Sequence, residues 1–134
     1  MPNNSWDAAL NDLFQADDGS ESFAESVTLG KAFDVVAKVE IGRNLNEFTT
    51  ADRLDVTIEN ISSSQPLVPR QTLNRTLTPT SAQRNETLRI DIPDGWTASV
   101  GDVLQVTASY HAVAGVHSDF SAKQGGLFVV VPKN

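Results

Sequence analysis

The chain contains no cysteine, and this single absence removes several kinds of chemistry. Disulfide bonds, zinc sites built from thiolates and thiol nucleophiles all need that side chain. The absence does not identify the compartment, because a cysteine-free domain folds in either redox environment. Histidine is nearly as scarce, with two in the whole chain, so any site that needs imidazole must use one or both of them.

Basic side chains are also few. The chain has 10 Lys and Arg against 17 Asp and Glu, which gives a formal net charge of -7. Nucleic acids are bound by clustered Lys and Arg that release counterions from the phosphates. Here the basic residues are scattered along the sequence, so we expect no nucleic-acid partner and no attraction to an anionic membrane surface.

Long apolar runs are missing as well. No window approaches the roughly 20 apolar residues of a membrane span, so no membrane insertion is expected. The first residues, MPNNSWDAALNDLF, lack the basic segment and the continuous apolar run of a signal peptide. The sequence therefore predicts a protein that is cytoplasmic, or exported without a recognisable signal peptide.

The short motifs that identify common catalytic sites do not occur. The sequence has no G-x-S-x-G elbow, no Walker loop, no dinucleotide fingerprint and no H-E-x-x-H. We expect no cofactor, and the sequence favours a non-enzymatic function.

The N-terminal segment, residues 1–24, is predicted to be a short helix followed by an acidic linker. Over residues 5–14, Ser5 suits the N-cap position and the apolar residues recur at helical spacing. The stripe consists of Trp6, Leu10, Leu13 and Phe14. Because a helix of about ten residues is marginal alone in water, this stripe must dock on another surface.

Residues 25–134 are predicted to form one β domain. Apolar and polar residues alternate with a period of two, which is typical of half-buried strands. The alternating or apolar runs cover residues 33–41, 54–58, 88–92, 104–110 and 127–131. Prolines at 66, 69 and 79 mark the stretch between the second and third runs as a loop or short edge strands.

These strands and turns predict an all-β fold, an antiparallel two-sheet sandwich with a short N-terminal helix. The last third of the chain is similar to the final hairpin of immunoglobulin-like and fibronectin-like domains, which implies a Greek-key topology. That resemblance concerns the fold alone, since no sequence motif of those families is present. A small β-barrel is the alternative.

Both histidines lie in the stretch YHAVAGVHSDF, residues 110–120. A three-residue loop at Val113, Ala114 and Gly115 would place His111 opposite His117 on the outward face of a hairpin, with Tyr110 and Phe120 facing the core. His111, His117 and Asp119 are then candidate ligands for a divalent metal, or a pH-sensing or catalytic group. The simpler interpretation, which we prefer, is the polar face of a hairpin.

Trp96 follows a Pro-Asp-Gly turn and has two interpretations. We prefer that it closes one end of the core, because large aromatic side chains are mostly buried. The alternative is a carbohydrate-binding or small-ligand site in which an exposed Trp96 stacks on a sugar ring, with Arg89 and Tyr110 as companions.

The last strand, Leu127 to Val131, is apolar on both sides, although an antiparallel strand with one wet face should alternate. Phe128 and Val130 therefore need a cover, which is either the N-terminal stripe or another protein chain. The sequence predicts a protein-interaction or assembly module that self-associates through this strand and the N-terminal helix. The partner is accordingly a protein, with a glycan or small ligand as the alternative.

Overall fold

A computed structural model describes residues 5–133 of the chain. Its elements are almost all strands, with one helical turn between the third and fourth. They are β1 (Ala8–Asp17), β2 (Ser26–Thr28), β3 (Phe33–Ile41), α1 (Arg43–Asn46), β4 (Ala51–Asn60), β5 (Gln65–Pro66), β6 (Gln71–Thr76), β7 (Arg84–Ile92), β8 (Val103–Ala114) and β9 (His117–Val131).

The strands form two sheets on a common core. The smaller sheet has the order β1-β3-β7, and the larger has the order β2-β9-β8-β4, with β5 and β6 both paired to the far side of β4. Apolar side chains from both sheets belong to one buried cluster. The predicted all-β fold is confirmed and is compatible with a sandwich. The alternative of a barrel is wrong, because the sheets are not closed on one another.

The period-two runs identified most strands correctly. β3 spans the same residues as the predicted run, and the other runs lie inside β4, β7, β8 and β9. In β8 the alternation is complete, with Leu104, Val106, Ala108 and Tyr110 all buried. Side chains that alternate in polarity segregate to opposite faces of a strand, and one of these faces is the core.

The predicted N-terminal helix is wrong, because its residues form strand β1 in antiparallel pairing with β3. The register shifts between Leu10 and Asp12, where a β-bulge adds one residue. Before the bulge Ala8 and Leu10 face the core, and after it Leu13 and Gln15 do. The extra residue puts Leu10 and Leu13 three positions apart on one face, a spacing that also occurs on a helix. β1 also lies in the same sheet as β3, so residues 8–17 are part of the β fold.

Two side chains of β9 accept hydrogen bonds from backbone N–H groups at the outer edge of β1. The Ala8 N–H donates to Asp119 Oδ2 at 2.6 Å, and the Leu10 N–H donates to Ser121 Oγ at 3.0 Å. Farther along, Gly125 lies so close to β1 that an added Cβ would be 3.0 Å from the Leu13 carbonyl oxygen. β9 therefore joins the two sheets along this side without a backbone ladder.

A chain of polar side chains joins the sheets elsewhere. The Tyr110 hydroxyl donates to Asp52, and Asp52 also accepts from Arg75. Arg75 donates in addition to Glu86 on β7. Glu86 accepts a further bond from Arg84 at 2.8 Å. Burial, together with the bond to Asp52, raises the pKa of Tyr110, so the phenol remains a donor. Burial raises the pKa of Glu86, but the bonds and charges of Arg75 and Arg84 outweigh it and leave that pKa below its ordinary value of 4.5.

No helix in the described part of the chain has the length and apolar character needed to cross a membrane.

Candidate interaction surface

The feature that stands out on the surface is the side of β8 and β9 that faces away from the core. Pairs of residues opposite one another on these strands share a face, and every second pair points outward. We call this set the β8–β9 outward face. It comprises Val103, Gln105, Thr107, Ser109, His111 and Val113 from β8, and Ser118, Phe120, Ala122, Gln124, Leu127 and Val129 from β9.

No residue of the β8–β9 outward face is Asp, Glu, Lys or Arg, although 20% of the chain is charged. Large apolar side chains are exposed on it: Phe120 is 68% exposed, Leu127 61% and Val129 36%. The neighbouring strand β4 differs, since Arg53, Asp55 and Glu59 point outward on the same side of the sheet. The face is thus an uncharged stripe with a charged flank.

The two ends of the stripe have different shapes. At one end the ring of Phe120 lies flat on His111, with centroids 3.9 Å apart and planes 3° from parallel, and it stands out from the sheet. At the other end a shallow depression of about 230 Å³ is lined by Glu25, Val103, Leu127, Phe128 and Val129. The middle is occupied by the small residues Ser109 and Ala122, which are opposite one another.

The interaction surface predicted from the sequence lies mostly in the core. Leu10, Leu13, Phe128 and Val130 are buried, and Phe14 is half-buried against Phe23. Of the predicted set, Trp6 is the exposed member. The last strand does present apolar residues on both sides, but Leu127 and Val129 are the outward ones, and Phe120 is outward instead of facing the core.

The cause of these reversals is a shorter loop and a second bulge. The hairpin loop is Gly115 and Val116, with Ala114 opposite His117, and Gly115 has a φ of +64° at the first loop position, where a type II′ turn takes glycine. A register shift between Gln105 and Thr107 then inverts the faces once more. Neither the loop length nor the register shift can be recognised from the alternation of apolar and polar residues. The sequence therefore did not locate the β8–β9 outward face.

The two histidines are not brought together. His111 lies opposite Phe120, and its Nε2 is buried, while His117 lies opposite Ala114 near the ring of Trp6. Asp119 uses its carboxylate to accept the Ala8 N–H. The shared metal or proton site that the predicted register implied is absent from the described residues.

Trp96, Arg89 and Tyr110 also lie apart. Trp96 is buried, packs edge-on against Phe33 and donates its Nε1–H to the Lys31 carbonyl at 2.8 Å, so the preferred core interpretation is confirmed. Arg89 contacts Asp34 on the outer side of the smaller sheet. Tyr110 is fully buried. An exposed Trp96 that stacks on a sugar is therefore excluded in this fold.

A second apolar surface lies at the end of the molecule, and we call it the aromatic tip: Trp6, Phe48 and Val116. Trp6 and Phe48 are each about half exposed, with rings 6.1 Å apart and nearly parallel, and Val116 is 99% exposed. The Leu45 N–H donates to the Ser5 carbonyl, which fixes the segment before β1. The tip surrounds an open depression of about 490 Å³.

A cluster of carboxylates forms a third feature, at Asp18, Asp34 and Asp91, whose oxygens lie within 4.8 Å of one another. Asp34 is the buried member, and it already accepts the Gly19 N–H at 3.1 Å and contacts Arg89 at 3.5 Å. These contacts account for its burial without a cation.

No protein-family model and no curated protein matches this chain.

Proposed function

We propose that the chain is a non-enzymatic protein-interaction module that associates with itself through the β8–β9 outward face. The observation that carries this proposal is the lack of charge on an exposed, partly apolar sheet face in a chain of net charge -7.

The physical reason lies in electrostatics and solvation. Charged groups keep proteins soluble, and desolvating them is expensive, so the cores of interfaces are depleted in charge and enriched in aromatic and apolar side chains. Two copies that each carry -7 repel one another. An uncharged face adds no like-charge contact between them, and Phe120, Leu127 and Val129 supply the apolar area that such a contact buries.

The area of the β8–β9 outward face indicates how strong the self-association can be. At about 3.3 Å per residue and about 4.8 Å between strands, β8, β9 and β4 offer an area of roughly 30 by 15 Å. That is smaller than the roughly 800 Å² per partner that stable complexes bury. We therefore expect a weak dimer that forms only at high protein concentration.

The test replaces apolar side chains on the face and compares them with a matched pair at the aromatic tip. In one variant Phe120→Ser and Leu127→Ser are combined; in the control Phe48→Ser and Val116→Ser are combined. All four side chains are more than half exposed in the described structure, so neither variant should unfold the core. Sedimentation equilibrium should show loss of the dimer in the first variant and retention in the second.

If the tip variant dissociated and the face variant did not, the interaction would belong to the tip and the proposal would be wrong about the surface. If wild type and both variants were monomeric throughout, self-association would be wrong altogether.

The strand order supports an immunoglobulin-like topology, because β1, β3 and β7 share one sheet and β4, β8 and β9 the other, as strands A, B, E and C, F, G do in those domains.

A further inference from the structure

We infer that the partner copy lies face to face and antiparallel, related by a two-fold axis that runs across the strands midway along β8. This inference rests on the proposed self-association and gives it a geometry. In such a dimer the projecting Phe120 ring of each copy enters the depression beside Leu127 of the other.

The pattern of the face supports this arrangement because it is self-complementary. The projecting ring is in the row of His111 and the depression begins in the row of Gln105, about 20 Å away along β8 at 3.3 Å per residue. In a two-fold dimer the ring of each copy meets the depression of the other, so a single rotation fills both depressions. Ser109 and Ala122 lie one row from the axis, where their small side chains leave room for Thr107 and Gln124 of the other copy.

The charged flank follows the same symmetry. On β4, Arg53 is in the row of His111 and Glu59 is in the row of Gln105. The axis that places Phe120 over Leu127 of the partner copy also places Arg53 over Glu59 of that copy, twice per dimer. The Arg53 side chain is 44% exposed, and its Nε–H already donates to Asp55 of the same strand, so its terminal N–H groups are the ones that would meet the exposed Glu59 of a partner. The opposite charges lie at the rim, where such pairs select the partner and its orientation.

Charge reversal tests this geometry. Arg53→Glu alone, or Glu59→Arg alone, creates two contacts between like charges in the dimer, and each should raise the dissociation constant at least about tenfold. The double variant Arg53→Glu/Glu59→Arg restores opposite charges at both contacts and should return to within about threefold of wild type. Mass measured by sedimentation equilibrium is the readout, and the thermal melt verifies that each variant is folded.

Cross-linking gives a second readout that uses the absence of native cysteine. In this dimer the two copies of residue 122 lie about 12 Å apart and the two copies of residue 118 about 35 Å apart, given about 10 Å between stacked sheets. A short bis-maleimide should therefore join Ala122→Cys chains, whereas Ser118→Cys chains, on the same strand and face, should remain single.

The outcomes separate this inference from the proposed function. A dimer by mass, with rescue by the double variant and cross-linking at residue 122, supports both. A dimer by mass without rescue, or with cross-linking at residue 118 instead, overturns the two-fold geometry and leaves self-association standing. A monomer at all concentrations overturns both.

Discussion

Tyr110 and Asp52 meet in the core because β4 and β8 pair side by side, although nothing in the sequence pattern connects the two side chains. Pattern analysis located Tyr110 on the inner face of its strand, and its burial confirms this. Its partner could not be predicted, because the sequence alone does not determine which strands become neighbours.

Tyr110→Phe keeps the packing of the ring and removes the donor to Asp52. Hydrogen bonds to charged groups contribute about 1.5–3 kcal/mol, so we expect the free energy of unfolding to fall by about that amount. Urea unfolding at neutral pH measures it, with Tyr110→Leu as a more disruptive comparison. An unchanged unfolding free energy would mean that the bond to Asp52 contributes nothing to stability.

Among the long strands, those without an inserted residue were predicted correctly from the sequence, and those with one were not. In β3 and β8 the alternation is regular and both strands were predicted with their inner faces. In β1 an extra residue near Asn11 makes a strand resemble a helix, and in β9 the change of register near Gly125 exchanges the two faces. A strict period of two makes no allowance for an inserted residue, so the errors concentrate in the strands whose register shifts.

The contact between β9 and β1 can be tested with a pair of adjacent glycines. In Gly125→Ala the new Cβ lies 3.0 Å from the Leu13 carbonyl oxygen, whereas in Gly126→Ala it has no heavy atom within 4 Å. Overpacking of this kind costs about 1–3 kcal/mol, so Gly125→Ala should lower the unfolding free energy by about that amount. Gly126→Ala should be neutral or slightly stabilising.

Chemical denaturation of the two variants under the same conditions provides the comparison. Equal effects would show that β1 and β9 do not approach each other as closely as the structure describes.

At the scale of the whole molecule, the two sheets are held together by a shared core, by β9, and by the chain of charges from Asp52 to Arg84. All-β architecture with two sheets followed from the sequence, because period-two runs and turn residues are local features. The chain of charges did not, since its members come from strands far apart in sequence. The surface proposed for self-association was also missed, because it depends on register.

The charge network predicts how stability responds to acid. The pKa of Glu86 is lower in the folded protein than its ordinary value of 4.5. A carboxylate of this kind contributes stability above the unfolded pKa, and the contribution is lost as the pH falls through the folded value. The melting temperature should therefore drop as the pH falls below about 4.5.

Glu86→Gln should melt lower than wild type at neutral pH and lose less on acidification. Melts of both proteins between neutral pH and about pH 3 measure the difference. Parallel curves for the two proteins would show that Glu86 is not the group responsible.

The most direct test of self-association is the solution mass of the wild-type chain by light scattering, from about 1 µM to about 1 mM, a range that brackets a weak dimer. We expect a mass that rises from 14.4 kDa towards twice that value with increasing concentration. A mass that stays at 14.4 kDa over the whole range would contradict the proposal that the β8–β9 outward face binds a second copy.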